Sequence, residues 1–216
     1  MSLDQQQLAE VIAARRHALA PAGTRLVGLT GGVAAGKSTL AAALREPLAR
    51  VLGGGVEVVG SDGFLQSDQA LRARGLLHEK GFPESHDRDA ILRFAGRLNS
   101  DAREVEVPLY SHATRSVDGA RTVALPCTLI VEGVFAFELL RASALPHVGI
   151  YLDASEDDLE RFYLTRWSHL LADHGDFVRG AWRDVNLPNL RLHISKERAH
   201  AELVLHKAAD HTITVR

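Results

Sequence analysis

Short apolar runs recur along the chain, most of them closed by glycine or a carboxylate, and alternate with stretches of helical periodicity. The first run, Arg25-Leu26-Val27-Gly28-Leu29-Thr30, has strand length, and the helix formers Thr39-Leu40-Ala41-Ala42-Ala43-Leu44-Arg45 follow it. Gly53-Gly54-Gly55 marks a turn into a second run at 56–59, which ends at Gly60-Ser61-Asp62-Gly63. Residues 63–87 carry little periodicity and many turn residues, so they read largely as a loop. Asp87 is placed to cap a helix from Arg88 to about Leu98. Residues 104–107 and 122–125 read as strands flanking a loop. Residues 128–131 form a buried strand ending at Glu132-Gly133. Another strand at 147–152 leads into a capped helix from near Ser155 through Trp167. A last helix is expected over about 190–206, and residues 212–215 close the sheet. Strands alternating with helices predict an α/β fold with a mainly parallel sheet flanked by helices on both faces. Residues 1–24 are expected to hold an amphipathic N-terminal helix, and 25–216 a single domain.

The turn after the first strand carries the strongest chemical signal. Gly31-Gly32-Val33-Ala34-Ala35-Gly36-Lys37-Ser38 has the spacing of a phosphate-cradling loop and sits between a strand and a helix, as such a loop must. Its backbone N–H groups converge on phosphate oxygens, and the helix N-terminus, continuing through Thr39, adds partial positive charge. Lys37 is then positioned for the β- and γ-phosphates and Ser38 for Mg²⁺, so ATP and Mg²⁺ are the expected cofactors and the P-loop NTPase fold the expected scaffold.

Three further groups fit phosphoryl transfer. Asp62, just past a strand end, suits orientation of an acceptor hydroxyl and uptake of its proton, although Asp-Gly is also a common turn dipeptide. Glu132 closes an apolar run, where an unpaired carboxylate is costly, and so reads as a second Mg²⁺ ligand. Arg161 and Arg166 lie on one predicted helix. Arg166 shares a face with Tyr163 and is the better candidate for the phosphoryl group in transit.

Composition narrows the partners. A net charge of −2 over 216 residues offers no footprint for nucleic acid. No apolar stretch is long enough to span a bilayer. Cys127 is the sole cysteine, which excludes an intrachain disulfide and favours a reducing compartment, the cytoplasm. The eleven histidines lack metal-site spacing.

Together with the P-loop, an ordered series of segments resembles bacterial type I pantothenate kinase, within the phosphoribulokinase/uridine kinase group. The segments are Asp62-Gly63-Phe64-Leu65, Arg74-Gly75-Leu76, Lys80-Gly81-Phe82-Pro83-Glu84-Ser85 and Asp87, Pro108-Leu109-Tyr110-Ser111-His112, Val131-Glu132-Gly133, Phe162-Tyr163-Leu164-Thr165-Arg166, Trp182 to Asn186 with Asn189-Leu190, and Glu197-Arg198-Ala199. The resemblance runs from Leu26 almost to the end. It implies transfer of the γ-phosphate of ATP to a primary alcohol of a small metabolite, pantothenate first. Asp62 would be the base, and Lys37 and Arg166 would act on the phosphate. Tyr110, His112, Tyr163 and Asn186 would bind pantothenate, and His211 would lie near the adenine. It also implies a homodimer. Two departures stand out. Only residues 1–24 precede the first strand, and the segment between Arg166 and Asn186 is much shorter than its counterpart, leaving Trp167, Phe177 and Trp182 as aromatic walls. The same chemistry on a nucleoside or sugar therefore stays open, as does a regulator that binds ATP without an acceptor.

Overall fold

A computed structural model describes residues 4–15, 24–111 and 113–216. The strands are β1 (Arg25–Gly31), β2 (Val56–Gly60), β3 (Glu104–Ser111), β4 (Ser116–Ala124), β5 (Thr128–Glu132), β6 (His147–Asp153), β7 (Leu203–Lys207) and β8 (Ile213–Val215). The α-helices are α1 (Gln5–Ala14), α2 (Lys37–Leu52), α3 (Asp68–Ala73), α4 (Arg88–Leu98), α5 (Ala136–Ser143), α6 (Glu156–Arg166), α7 (Ser168–Ala181) and α8 (Leu187–Leu192). One sheet runs in the order β2-β5-β1-β6-β7-β8. All its pairings are parallel except the last, where β8 lies antiparallel on β7. A separate hairpin, β3–β4, stands beside it.

The two-residue period of β1 divides the core. Val27 and Leu29 pack on one face with Leu40, Leu44 and Leu48 of α2. Leu26 packs on the other with Leu140 of α5 and Phe94 of α4. Covered on both faces, the strand reads as an unbroken apolar run. Gly28 is what lets α5 lie this close, because a Cβ there would sit 2.2 Å from Cδ1 of Leu140. Gly28→Ala is expected to cost about 1–3 kcal/mol through overpacking. It should appear as a lower urea midpoint at unchanged slope.

Local signals set several boundaries. Asp87 accepts the Ala90 N–H and starts α4, and Ser155 does the same for α6 through Asp158. Asp4 and Gln7 form a capping box for α1, whose Leu8, Ala9 and Ile12 are buried. The predicted N-terminal helix thus covers Gln5–Ala14 within 1–24, and residues 16–23 lie outside the described ones.

Three expectations are corrected. The helix expected over 190–206 is instead α8, a 3₁₀ segment at Ile194–His200 and strand β7. Leu203 and Leu205 point into the core, and pairing with Ile150 to Asp153 of β6 overrides the local helix signal. Residues 63–87 are not mainly loop: they hold α3, capped by Ser67, and short 3₁₀ turns. The strands near 104 and 125 extend far into the expected loop, so Tyr110 pairs with Val117 and sits on a strand.

Candidate active site

Three strand ends meet at the carboxyl edge of the sheet, where α/β folds bind ligands. Strand β5 runs between β2 and β1, so Glu132 lies in register with Gly60 on one side and Leu29 on the other. Past β1 the chain enters the loop Gly31 to Gly36 and then α2. Past β2 it makes a 3₁₀ turn, Ser61–Phe64, which carries Asp62. Two glycines shape the loop. Gly31 has φ +146°, and a Cβ there would lie 2.3 Å from the Leu152 carbonyl. Gly36 has φ +97° and begins α2. Gly133, after Glu132, is equally constrained: a Cβ would lie 1.9 Å from the Ser61 hydroxyl. The loops after β5 and β2 can touch only because that position is bare.

Lys37 is buried, and its Nζ donates to the carbonyls of Gly31 at 3.0 Å and Gly32 at 2.8 Å. Burial pushes its ammonium below the usual lysine range, the charges of Glu132 and Asp62 pull it back, and Arg166 adds to the fall. The Ser38 hydroxyl donates to Oε1 of Glu132 at 2.9 Å. Lys37, Ser38, Asp62, Glu132 and Arg166 all line one cavity of about 450 Å³, together with Val33 and Ala34. A second cleft of about 480 Å³ shares Ala34, Lys37, Ser38 and Arg166 and extends past Gly36 and Thr39 to Lys207 and His211. Two binding regions thus join at the lysine, the hydroxyl and the arginine. Arg166, the last residue of α6, lies over the Trp167 ring at 5.6 Å.

The first cavity also takes in Tyr110, Tyr163 and Asn186. Burial raises the Tyr163 phenol above its ordinary pKa, and a hydrogen bond with the Asn186 side chain offsets part of that rise. Asn186 Nδ2 donates to the Ala181 carbonyl at 3.0 Å, inside a π-helical turn, Trp182–Asn186, that aims it inward. His112 lies outside the described residues. Of the expected aromatic walls, Trp167 lines the cavity and buried Trp182 backs Tyr163 at 5.5 Å. Phe177 is 66% exposed and takes no part. The kink of α7 at His174 precedes it.

On the other cleft His211, with φ +69°, stacks on Phe162 at 4.7 Å. Lys207 escaped sequence reading. Its Nζ donates to the Ala35 carbonyl at 2.9 Å and lies 4.5 Å from the Phe162 ring, placing a second lysine against the phosphate loop. Lys80 and Asn189, on the first cavity, were visible only as parts of longer segments. Among the described residues no cluster of three or more metal-ligating side chains occurs, and no helix is long and apolar enough to cross a membrane.

The family model for the Phosphoribulokinase / Uridine kinase family matches residues 26–162. The pantothenate kinase of Leifsonia xyli is 40% identical over 88% of this chain and 67% of its own length. That of Listeria monocytogenes is 36% identical over 88% of this chain and 71% of its own. Among solved structures, a candidate fructose transport system kinase from Silicibacter sp. TM1040 aligns with TM-score 0.75 and 30% identity, covering 90% of this chain and 95% of that one.

Proposed function

The chain belongs to the phosphoribulokinase/uridine kinase family, and on that premise we propose that it transfers the γ-phosphate of ATP to the primary alcohol of pantothenate. The observation that carries this reading is a single cavity in which Lys37, Ser38 and Arg166 stand on the phosphate side and Asp62, Tyr110, Tyr163 and Asn186 on the other. Relatives named pantothenate kinase, matching 88% of the chain, add weight to it.

The roles follow from position. Backbone N–H groups of Gly31 to Ser38, with Thr39 at the start of α2, cradle the phosphates. Lys37 and Arg166 neutralise charge that develops on the phosphoryl group. Asp62 takes the proton of the acceptor hydroxyl. Tyr110, His112, Tyr163 and Asn186 hold the acceptor, and His211 borders the base. Ser38 and Glu132, already hydrogen-bonded, suit Mg²⁺, an ion that takes few protein ligands and keeps phosphate and water in its shell. When bound, that ion supplies neutralisation of the phosphate charge. The reading also includes the cytoplasm as the place of action, a homodimer testable by sedimentation, and neither nucleic acid nor membrane as partner.

Pantothenate is expected to be a saturable but weakly bound acceptor. With Phe177 turned outward, less apolar wall remains. Losing two or three buried CH₂ contacts at about 0.8 kcal/mol each raises KM by roughly 10–60-fold. ADP release in a coupled assay that depends on pantothenate and is lost in Asn186→Ala is the expected result. The likeness to a candidate fructose transport system kinase over 95% of its length favours a sugar as the second reading. Turnover of a sugar or nucleoside without turnover of pantothenate would decide for that alternative.

A further inference from the structure

Beyond Tyr110, the acceptor cavity has a wall that phosphoryl transfer does not use. Lys80, Arg115 and Asn189 line it. The Lys80 side chain is only 7% exposed and is ion-paired with Asp68. Its Nζ also donates to the Arg115 carbonyl at 2.6 Å and lies 5.5 Å from the Tyr110 ring. The charge of Lys80 is therefore already answered, and its free hydrogen-bonding capacity fixes the backbone of Arg115.

Arg115 is held in the turn between β3 and β4 at φ +57°, a conformation that side chains other than glycine seldom adopt. Its guanidinium makes no hydrogen bond or ion pair with any described residue. It borders the acceptor cavity and not the nucleotide cleft, where Lys207 adds a cation to Lys37 and Arg166, which the two cavities share. Its charge lies within electrostatic reach of both Asp68 and Tyr163. Nearby Asn189 donates Nδ2 to the Gly81 carbonyl at 2.7 Å, while its buried Oδ1 has no partner among the described residues. That leaves one acceptor for a hydroxyl or amide N–H of a bound molecule. An unanswered guanidinium beside an unanswered carbonyl suits a ligand that carries both an anion and a hydrogen-bond donor. A planar carboxylate matches the guanidinium fork best.

We infer that Arg115 selects the acceptor by charge: the substrate is a small primary alcohol that also carries a carboxylate, and Arg115 binds that carboxylate while Lys80 holds the Arg115 backbone in place. This inference rests on the kinase reading and deepens it. It does not depend on pantothenate being the particular acid.

The test uses two matched pairs of acceptors, pantothenate with its neutral alcohol panthenol and glycerate with glycerol. ADP release gives kcat/KM for the unaltered chain, Arg115→Gln and Arg115→Lys. The unaltered chain should prefer the acid of its working pair by roughly 10–100-fold, the worth of hydrogen bonds to a charged group. Arg115→Gln should collapse that preference, chiefly through KM for the acid, and Arg115→Lys should restore part of it. A merely structural role would lower acid and alcohol together, and that result overturns the inference, as does an unchanged ratio. Turnover of glycerate but not pantothenate sinks the pantothenate reading and leaves the charge rule standing if Arg115→Gln collapses the glycerate preference. Absence of turnover with either acid overturns the inference.

Discussion

Lys37→Ala should remove turnover, lowering kcat/KM by about 10²–10³-fold or more, the span seen when one preorganised donor to a developing charge is lost. ATP binding should weaken as well. The reason is the way the side chain is held. Its hydrogen bonds go to two loop carbonyls, Gly31 and Gly32, and burial lowers its pKa while Glu132 and Asp62 counteract that. An ammonium so placed contributes little to folding, because desolvation opposes the attraction of its neighbours. Thermal stability should therefore be little changed, and Lys37→Met, which keeps the stem but not the charge, should behave like the alanine variant in turnover. Folding is checked by circular dichroism and ATP binding by calorimetry. Near-normal turnover in a folded Lys37→Ala variant would falsify the placement of the phosphates on this loop.

The parts of the molecule that were legible in the sequence are those set by short-range physics. The loop Gly31 to Ser38 was legible because its glycines occupy backbone conformations that side chains resist, as φ +146° at Gly31 and +97° at Gly36 show. The starts of α4 and α6 were legible because Asp87 and Ser155 satisfy orphan N–H groups three residues on. Strands β1, β5 and β6 were legible because burial on both faces leaves an unbroken apolar run. Strand β7 was not. Its Leu203, Val204 and Leu205 follow helix-forming residues, and only the ladder with β6, fifty residues earlier, decides the matter. Helices α5 and α7 also went unread. The former is amphipathic but begins without a side-chain cap, and the latter is kinked and mostly exposed.

The candidate site divides along the same line. Lys37, Ser38, Asp62 and Glu132 follow strand ends, so knowing the strands almost places them. Lys207 does not: it stands 172 residues from the Ala35 carbonyl it binds, and no local spacing announces that contact. Arg115 is equally silent, since an arginine in a turn reads as a solvated charge until the cavity beside it is known. Phe177 errs in the other direction, an aromatic that looks like a pocket wall and faces solvent.

Asp62→Asn should lower kcat by roughly 10²–10⁴-fold, the usual contribution of a general acid–base group, with ATP affinity little altered. The substitution isolates the proton-accepting role. Asp62 contributes its backbone carbonyl to the turn, accepting the Leu65 N–H at 3.1 Å, and asparagine keeps that bond. The side chain reaches the cavity from the end of β2, across Glu132 from the phosphate loop, so the substitution leaves Lys37 and Ser38, the groups proposed for the nucleotide, in place. What changes is that an amide cannot take the acceptor proton. Single-turnover measurement of phosphorylated product should therefore show the slowing in the chemical step, with the acceptor KM moving far less than kcat. If kcat is unchanged while ATP still binds, Asp62 is a turn residue, and the base must be sought elsewhere on the same cavity.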